Sequence, residues 1–260
     1  MQVITLANQK GGVGKTTLSC LLALYLADKR AARVMAIDLD NQRNLSYTLK
    51  AFGCGVPATA LFDPSPVQVP TGASLSLIAG TPQLANLERA TAEEAQRRVQ
   101  QFSAQLQALS AQFDYCLIDP PPTLGIRMVA ALTSADFVAM PIELEEYSTQ
   151  AVKDMLQTVF GVREKWNPKL KFLGMIANRF MHNSVRQKAA LKDLMQHYPQ
   201  YLLPCKISTR AAIPRALEEG CGVWQLTTPA ARDASAEVVH AFEALLTRTQ
   251  EHADARGAVA

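Results

Sequence analysis

The most constraining feature of this sequence is a glycine-rich loop between an apolar, strand-like segment and a helix-like one. Residues 9–18 read Gln-Lys-Gly-Gly-Val-Gly-Lys-Thr-Thr-Leu and directly follow the apolar run at residues 2–7. In such a loop, successive backbone N–H groups point inward at phosphate oxygens, and the following helix adds the positive end of its dipole. The sequence therefore predicts a nucleotide-binding site at the C-terminal end of a first strand.

The positions of the loop have different predicted roles. The strict phosphate-loop pattern would have glycine where Gln9 stands, and a second lysine, Lys10, precedes the glycine pair. A glycine-rich turn without a ligand is the structural alternative, but the coincidence of strand, loop and lysine-threonine pair disfavours it. We expect the phosphates to be wrapped by Gly11, Gly12, Val13, Gly14, Lys15, Thr16 and Thr17, with Lys15 neutralising the β- and γ-phosphates and Thr16 binding Mg²⁺.

Length and composition favour one α/β domain over residues 1–249, followed by a polar, frayed tail at 250–260. The chain has 260 residues, of which 48% are hydrophobic and 19% charged, which is enough to bury a sizeable core. No apolar run approaches membrane-spanning length and no secretory leader is visible, so we expect a soluble, cytoplasmic protein without a membrane anchor. The five cysteines are scattered without a C-x-x-C pair, which predicts reduced thiols rather than a zinc or iron–sulfur site.

Strands and helices alternate along the chain, which predicts a doubly wound, mainly parallel sheet with helices on both faces. The proline-rich residues 53–71 indicate a loop with a short helical insert, and Thr91–Glu94 has the spacing of a helix capping box. The predicted strands are residues 2–7, 33–38, 75–79, 115–119, 137–140 and 170–177, and the predicted helices are 16–29, 92–112 and 147–166.

Three aspartates stand at predicted strand ends, where open α/β sheets bind their ligands. Asp38 and Asp40 follow one strand and Asp119 follows another. Mg²⁺ keeps several waters and takes few protein ligands, so we expect Asp119 to hold it in the Walker B role and Asp38 to support it from behind. Asp40 is the candidate to orient or deprotonate the attacking water. A helix N-cap is the alternative role for each aspartate.

Positive charge is concentrated in residues 163–215. This segment holds eleven Lys/Arg and two Asp/Glu, a net charge of +9, whereas the whole chain carries +3, which leaves −6 for the rest. Such asymmetry favours a surface that binds nucleic acid, although solvated helix faces are the alternative.

Three motifs resemble the deviant Walker A superfamily of ParA and MinD ATPases. Lys10-Gly-Gly-Val-Gly-Lys-Thr-Thr17 resembles its phosphate loop, Ala36-Ile-Asp-Leu-Asp-Asn-Gln42 its second motif, and Cys116-Leu-Ile-Asp-Pro-Pro121 its Walker B segment. Their order and spacing agree with the family. Further segments, Pro141–Glu145, Tyr147-Ser148, Phe172–Met175 and Val223-Trp224, are similar to the IncC branch of plasmid partition proteins, so the resemblance extends to about residue 245.

The resemblance implies a slow ATPase that uses ATP and Mg²⁺ and forms a homodimer when ATP is bound. Lys10 would be the signature lysine that reaches the partner's nucleotide, and Asn178 would contact the adenine edge. The resemblance further implies non-specific binding of double-stranded DNA by the dimer, stimulation by a ParB-type centromere-binding protein, and association with the nucleoid. The preferred DNA contacts are Arg210 and Arg215, with Lys206, Arg186 and Arg179 behind them.

The sequence also departs from the family pattern. Asn41 replaces the usual proline after the second aspartate, and Arg43 replaces a common glycine. The sequence begins at the ATPase strand without a helix-turn-helix, so we expect no operator-specific binding; a longer form from an upstream start is the alternative. A MinD-like, membrane-associated positioning ATPase and an ATP-binding scaffold with negligible turnover are the alternative functions; the residues from Thr249 onward lack the apolar face of a membrane anchor.

Overall fold

A parallel β-sheet forms the centre of the protein. The computed structural model describes residues 1–144 and 149–257, without side-chain detail for 149–151 and 253–257. Its strands are β1 Gln2–Leu6, β2 Val34–Asp38, β3 Gly53–Pro57, β4 Leu75–Ala79, β5 Tyr115–Asp119, β6 Phe137–Glu143, β7 Lys171–Phe180 and β8 Leu202–Ser208. They are ordered β3-β4-β2-β5-β1-β6-β7-β8, and neighbouring strands pair in parallel.

Helices connect the strands and cover both faces of this sheet. They are α1 Lys15–Lys29, α2 Asn44–Thr48, α3 Ala92–Leu109, α4 Ile126–Ser134, α5 Thr149–Lys165, α6 Val185–His197, α7 Ala212–Glu218 and α8 Pro229–Gly257. Short 3₁₀ helices lie at Lys50–Phe52, Ala58–Phe62, Pro82–Arg89, Pro199–Tyr201 and Val223–Gln225.

Side chains alternate between two cores along each central strand. On β2, Met35 and Ile37 face a core shared with α3, α4 and α5, whereas Val34 and Ala36 face one shared with α1, α7 and α8. Strands buried on both faces need continuous apolar sequence, which explains why they were recognisable. The predicted doubly wound α/β fold is confirmed.

The start of α3 agrees with its sequence signal. The backbone N–H of Glu94 donates to the Thr91 hydroxyl (3.3 Å), and the backbone N–H of Thr91 donates to the Glu94 carboxylate (3.4 Å). The predicted capping box is therefore present, and it satisfies two donors that an uncapped helix would leave without partners.

The segment 53–71 differs from its prediction. Its glycines and prolines favour loops, yet Gly53–Pro57 pairs with β4 as the edge strand β3, where missing donors and small side chains are tolerated. Residues Ala58–Phe62 form the short helical insert that was expected.

Two further boundaries differ from the sequence analysis. β6 continues through Pro141 to Glu143. Proline has no N–H to donate, but β1 pairs only with residues 137–139 of β6, so no carbonyl of β1 loses a hydrogen bond at Pro141. α8 runs to Gly257 and so continues past residue 249, while 258–260 lie outside the described range. The fraying of residues 250–260 stays a prediction.

Candidate nucleotide-binding site

The glycine-rich loop leaves the C-terminal end of β1 and enters α1. Gly12 and Gly14 have φ angles of 81° and 92°, a left-handed conformation that side chains disfavour. A Cβ atom at Gly12 would meet no atom within 4 Å, whereas one at Gly14 would overlap the side-chain amide of Asn178. The first glycines thus face open space, and Gly14 packs directly against β7.

Two polar side chains before the glycines hold the loop in place. Asn8 accepts from the backbone N–H of Lys10 (3.0 Å) and donates to the carbonyl of Pro141 (2.8 Å). Gln9 donates to the hydroxyl of Thr158 on α5 (2.7 Å). Because Gln9 is tied to a neighbouring helix and the left-handed positions fall at Gly12 and Gly14, a glycine is not needed at position 9.

The N-terminus of α1 is suited to an anion. No side chain caps it, so backbone N–H groups of the first turn remain available, and the helix dipole places positive potential there. Lys15 begins this helix, is 7% exposed, and donates from Nζ to the carbonyl of Lys10 (3.0 Å). Burial lowers the pKa of Lys15, while the charges of Asp119 and Asp40 oppose that shift.

Asp119 is buried at the end of β5 and contacts α1. Its carboxylate accepts from the hydroxyls of Thr16 (2.7 Å) and Ser19 (3.1 Å). Burial, with the nearby charge of Asp38, raises the pKa of Asp119 to about 7, against the opposing effect of the two hydroxyls and Lys15. The structure therefore joins the two residues predicted to hold Mg²⁺, Thr16 and Asp119. Ser19 was not predicted to belong to this group.

Asp38 organises the loop after β2. One of its carboxylate oxygens accepts from the backbone N–H of Asp40 (3.0 Å), and the other accepts from the backbone N–H and hydroxyl of Ser46 (2.8 and 2.7 Å). Burial raises the pKa of Asp38, and these hydrogen bonds oppose the rise. Both oxygens are engaged in shaping the loop, which is consistent with a supporting role behind the metal.

Asp40 lies within a loop that is held by residues the sequence analysis missed. Its own carboxylate accepts from the backbone N–H of Gln42 (3.0 Å). The guanidinium of Arg127 donates to the carbonyl of Leu39 (3.1 Å) and to the side chain of Asn41 (3.2 Å), on either side of Asp40. The sequence signal for this contact was Arg127 itself, an arginine in a largely apolar helix that follows the Walker B segment.

Asn178 lies near the C-terminal end of β7, where it contacts the loop. It is 4% exposed, and its Nδ2 donates to the carbonyl of Val13 (2.9 Å). The amide also lines a cavity of about 570 Å³ that extends from Thr17 to Arg210 and Pro214 and lies beside the phosphate loop. This cavity has room for a base and ribose, which is compatible with the predicted contact between Asn178 and adenine. That contact stays a prediction.

The residues present fit a Mg-nucleotide. A second cavity, of about 300 Å³, is lined by Gly11, Lys15, Thr16 and Asp40 among others. In the described part of the chain, no group of three or more His, Cys, Asp or Glu side chains could hold a metal. One hydroxyl and one carboxylate suit Mg²⁺, which takes its other ligands from phosphates and water.

The predicted DNA contacts differ in their surroundings. Arg210 donates to the carboxylates of Glu237 (2.7 Å) and Asp233 (3.2 Å), both on α8, and its hydrogen bond to Glu237 is the main cause of its raised pKa. Arg215 pairs with Glu219 (2.9 Å). The acidic partners of Arg210 lie outside residues 163–215, so the charge count of that segment overstated the positive charge.

The other three predicted contacts are exposed. Arg179 lies 3.9 Å from the carboxylate of Glu143, and Lys206 lies over the ring of Phe180 (4.8 Å to its centre). Arg186 occupies the first turn of α6. Arg179 and Lys206 lie on the neighbouring strands β7 and β8, whereas Arg186 lies beyond the end of β7.

Over the described residues, no helix is both long and apolar enough to span a bilayer.

Comparisons with known proteins agree on the family. A family model described as an AAA domain matches residues 1–172. Protein IncC of Escherichia coli is 43% identical over 249 residues, which cover 92% of this chain and 67% of that protein. The chromosome partitioning protein ParA of Myxococcus xanthus is 33% identical over 186 residues, 69% of this chain and 65% of ParA.

Solved structures agree with the fold. Apo McdA of Cyanothece superposes with a TM-score of 0.75 at 24% identity, covering 93% of this chain and 99% of McdA. Cobyrinic acid a,c-diamide synthase of Mycobacterium smegmatis, solved with a bound ATP analog and magnesium, has a TM-score of 0.68 at 29% identity and covers 84% of this chain and 92% of the synthase.

Proposed function

Since this chain belongs to the ParA-type family of partition ATPases, which includes IncC, we propose that it is a Mg-ATP-dependent DNA partition ATPase. In this proposal the protein dimerises when it binds ATP and coats non-specific DNA in that state. A ParB-type partner stimulates its slow hydrolysis of ATP, and hydrolysis reverses both dimerisation and DNA binding. The protein would then work in the cytoplasm, on the nucleoid.

The observation that carries this proposal is a phosphate loop that contains two lysines and leads into a contact with the buried carboxylate of Asp119. Thr16 and Asp119 lie within hydrogen-bond distance at 2.7 Å, and Lys15 enters the same site. Bound Mg²⁺ would supply the charge that neutralises the phosphate chain, with Thr16 as its ligand and Asp119 reaching it through water. That arrangement is the one a nucleoside triphosphatase needs.

Each remaining residue is assigned a role in the proposed hydrolysis. Lys15 binds the β- and γ-phosphates, and the α1 N-terminus adds backbone donors. Asp40 orients the attacking water and takes its proton, since this residue lines the same cavity as Lys15 and Thr16. Lys10 reaches the nucleotide of the second subunit. Water and ATP then yield ADP and phosphate.

DNA binding is supported by the exposed cations near the ends of β7 and β8. Lys206, Arg179 and Arg186 are accessible, and contacts from such residues would go to phosphates rather than to base edges. Affinity should therefore depend steeply on salt and little on DNA sequence.

The test is binding to a non-specific duplex with ATP, with ADP and without nucleotide. We expect binding only with ATP, weakening strongly between about 50 and 200 mM salt. Lys15→Ala, compared at an ATP concentration that just saturates the wild-type protein, is the control that should fail in all three conditions. Failure of the wild-type protein in all three conditions would contradict the partition function and favour a scaffold. A burst of hydrolysis on adding DNA and the ParB-type partner would exclude a scaffold without turnover.

A further inference from the structure

Arg127, in the first turn of α4, is a buried cation whose side chain donates to three acceptors. Its side chain is 6% exposed. Its Nε donates to the carboxylate of Glu88 (2.8 Å), and its Nη1 donates to the carbonyl of Leu39 and the side chain of Asn41. A buried guanidinium is tolerated only when its charge and donors are matched, and Glu88 supplies the opposite charge.

Glu88 also fixes the helix that carries Arg127. Its second oxygen accepts from the backbone N–H of Ile126 at the start of α4 (2.9 Å). Gly125 precedes this turn, and any side chain there would overlap the Glu88 carboxylate. Arg127 therefore has a fixed orientation before it reaches the loop after β2.

The loop after β2 is held on both sides of Asp40. Arg127 contacts the residue before it, Leu39, and the residue after it, Asn41, while Asp38 accepts from the backbone N–H of Asp40 itself. The chain on either side of Asp40 is thus held from α4, the helix that follows the Walker B strand, and from Asp38.

We propose that Arg127 is a positioning residue for ATP hydrolysis, which holds the Asp40 loop in its productive geometry through Leu39 and Asn41. This inference rests on the proposed function, in which Asp40 orients the attacking water. Arg127 does not line the cavity that contains Lys15 and Thr16, so its effect falls on turnover rather than on nucleotide affinity. Asn41 is the residue of this loop whose side chain accepts a hydrogen bond from Arg127, so the contact depends on the residue type at position 41.

The test compares Arg127→Lys, Asn41→Ala and the double variant. Lysine keeps the charge that faces Glu88, but it lacks the planar fork that contacts three acceptors at once. We expect kcat for ATP to fall about tenfold to a hundredfold in Arg127→Lys, with affinity for a fluorescent ATP analogue within about twofold of wild type. Asn41→Ala should lower kcat by less, and the double variant should be no slower than Arg127→Lys.

Arg33→Lys is the matched control. Arg33 forms a bidentate pair with Asp114 at the opposite end of the sheet, so its replacement removes an arginine fork without touching the site. Its kcat should equal that of wild type. Thermal melting of every variant comes first, and if Arg127→Lys does not fold, Asn41→Ala, which removes a partly exposed side chain, carries the test.

The outcomes separate this inference from the proposed function. Asp40→Ala is measured in parallel: wild-type turnover in that variant would overturn the role of Asp40 and the proposed mechanism. If Asp40→Ala is inactive while Arg127→Lys and Asn41→Ala turn over at the wild-type rate, only the role of Arg127 is overturned. Equal losses of kcat and affinity, or additive losses in the double variant, would also overturn it.

Discussion

The side-chain amide of Asn178 donates a hydrogen bond of 2.9 Å to the carbonyl of Val13, across 165 residues of sequence. Asn178 lies near the C-terminal end of β7 and Val13 lies in the phosphate loop, so this contact ties the loop to the far half of the sheet. The same amide fills the space that a side chain at residue 14 would need. The loop is therefore shaped from β7 as well as from its own glycines.

Asn178→Ala should weaken nucleotide binding beyond its effect on stability. Losing one buried hydrogen bond costs about 1 kcal/mol of the free energy of unfolding, and here it also frees the loop. Asn167→Ala is the matched control, because Asn167 donates to two buried carbonyls, those of Leu132 and Ala135, far from the site. Denaturation and titration with an ATP analogue check both; equal affinities in the two variants would contradict the prediction.

Gly14→Ala should abolish nucleotide binding, whereas Gly72→Ala should not. Both glycines have positive φ angles, 92° and 104°, so both variants bear a backbone cost of roughly 1–2 kcal/mol. Only Gly14 has a neighbour in the way, since no atom lies within 4 Å of a Cβ at Gly72. The difference in melting temperature and in ATP affinity between the two variants measures the contact with Asn178.

Lys15→Ala and Lys10→Ala should fail at different steps. Lys15 begins α1 in the cavity with Thr16, so its loss should weaken ATP binding about tenfold to a hundredfold, the value of a charge-assisted hydrogen bond. Lys10→Ala should still bind ATP but not dimerise. Titration and sedimentation velocity with ATP separate the two, and an ATP-dependent dimer of Lys10→Ala would refute the role of that lysine.

Stability of the protein without nucleotide or metal should fall as the pH rises from about 4 to 7. Burial raises the pKa of Asp119 from 3.8 to about 7, so in this interval the folded state holds a proton that the unfolded state has released. Its destabilising contribution is absent below the unfolded pKa and complete above the folded one. Asp119→Asn should flatten the dependence of the free energy of unfolding on pH, measured by denaturant titration in the presence of a chelator. Burial also raises the pKa of Asp38, so part of this dependence should remain in the variant. A slope equal to that of wild type would be inconsistent with this assignment.

Removing exposed cations should reduce the salt dependence of DNA binding. Arg186→Ala and Lys206→Ala should each lower the slope of log affinity against log salt by about 1 if the residue contacts phosphate. Arg210→Ala should instead lower stability, because it leaves Glu237 and Asp233 without their cation. Binding isotherms at several salt concentrations, with a thermal melt of each variant, distinguish these effects.

The fold and the phosphate loop were predictable because their signals are local. Continuous apolar strands, the glycines that precede Lys15, and aspartates at strand ends can each be recognised within a few residues. Contacts across the sheet could not be: Glu88 and Arg127 are 39 residues apart, and Arg210 and Glu237 are 27 apart. Edge strand β3 was missed because its pairing with β4 outweighs the local preference of glycine and proline.

The position of β5 between β1 and β2 has a consequence for how the chain folds. Thr16 and Asp119 are 103 residues apart, and they meet only after β5 has inserted beside β1, which is a slow, non-local step. During synthesis, the glycine-rich loop and α1 are made before β5, the strand that completes the site. Nucleotide therefore stabilises only molecules whose central strands are already assembled, and added Mg-ATP should slow unfolding of the native protein without accelerating the collapse of the unfolded one.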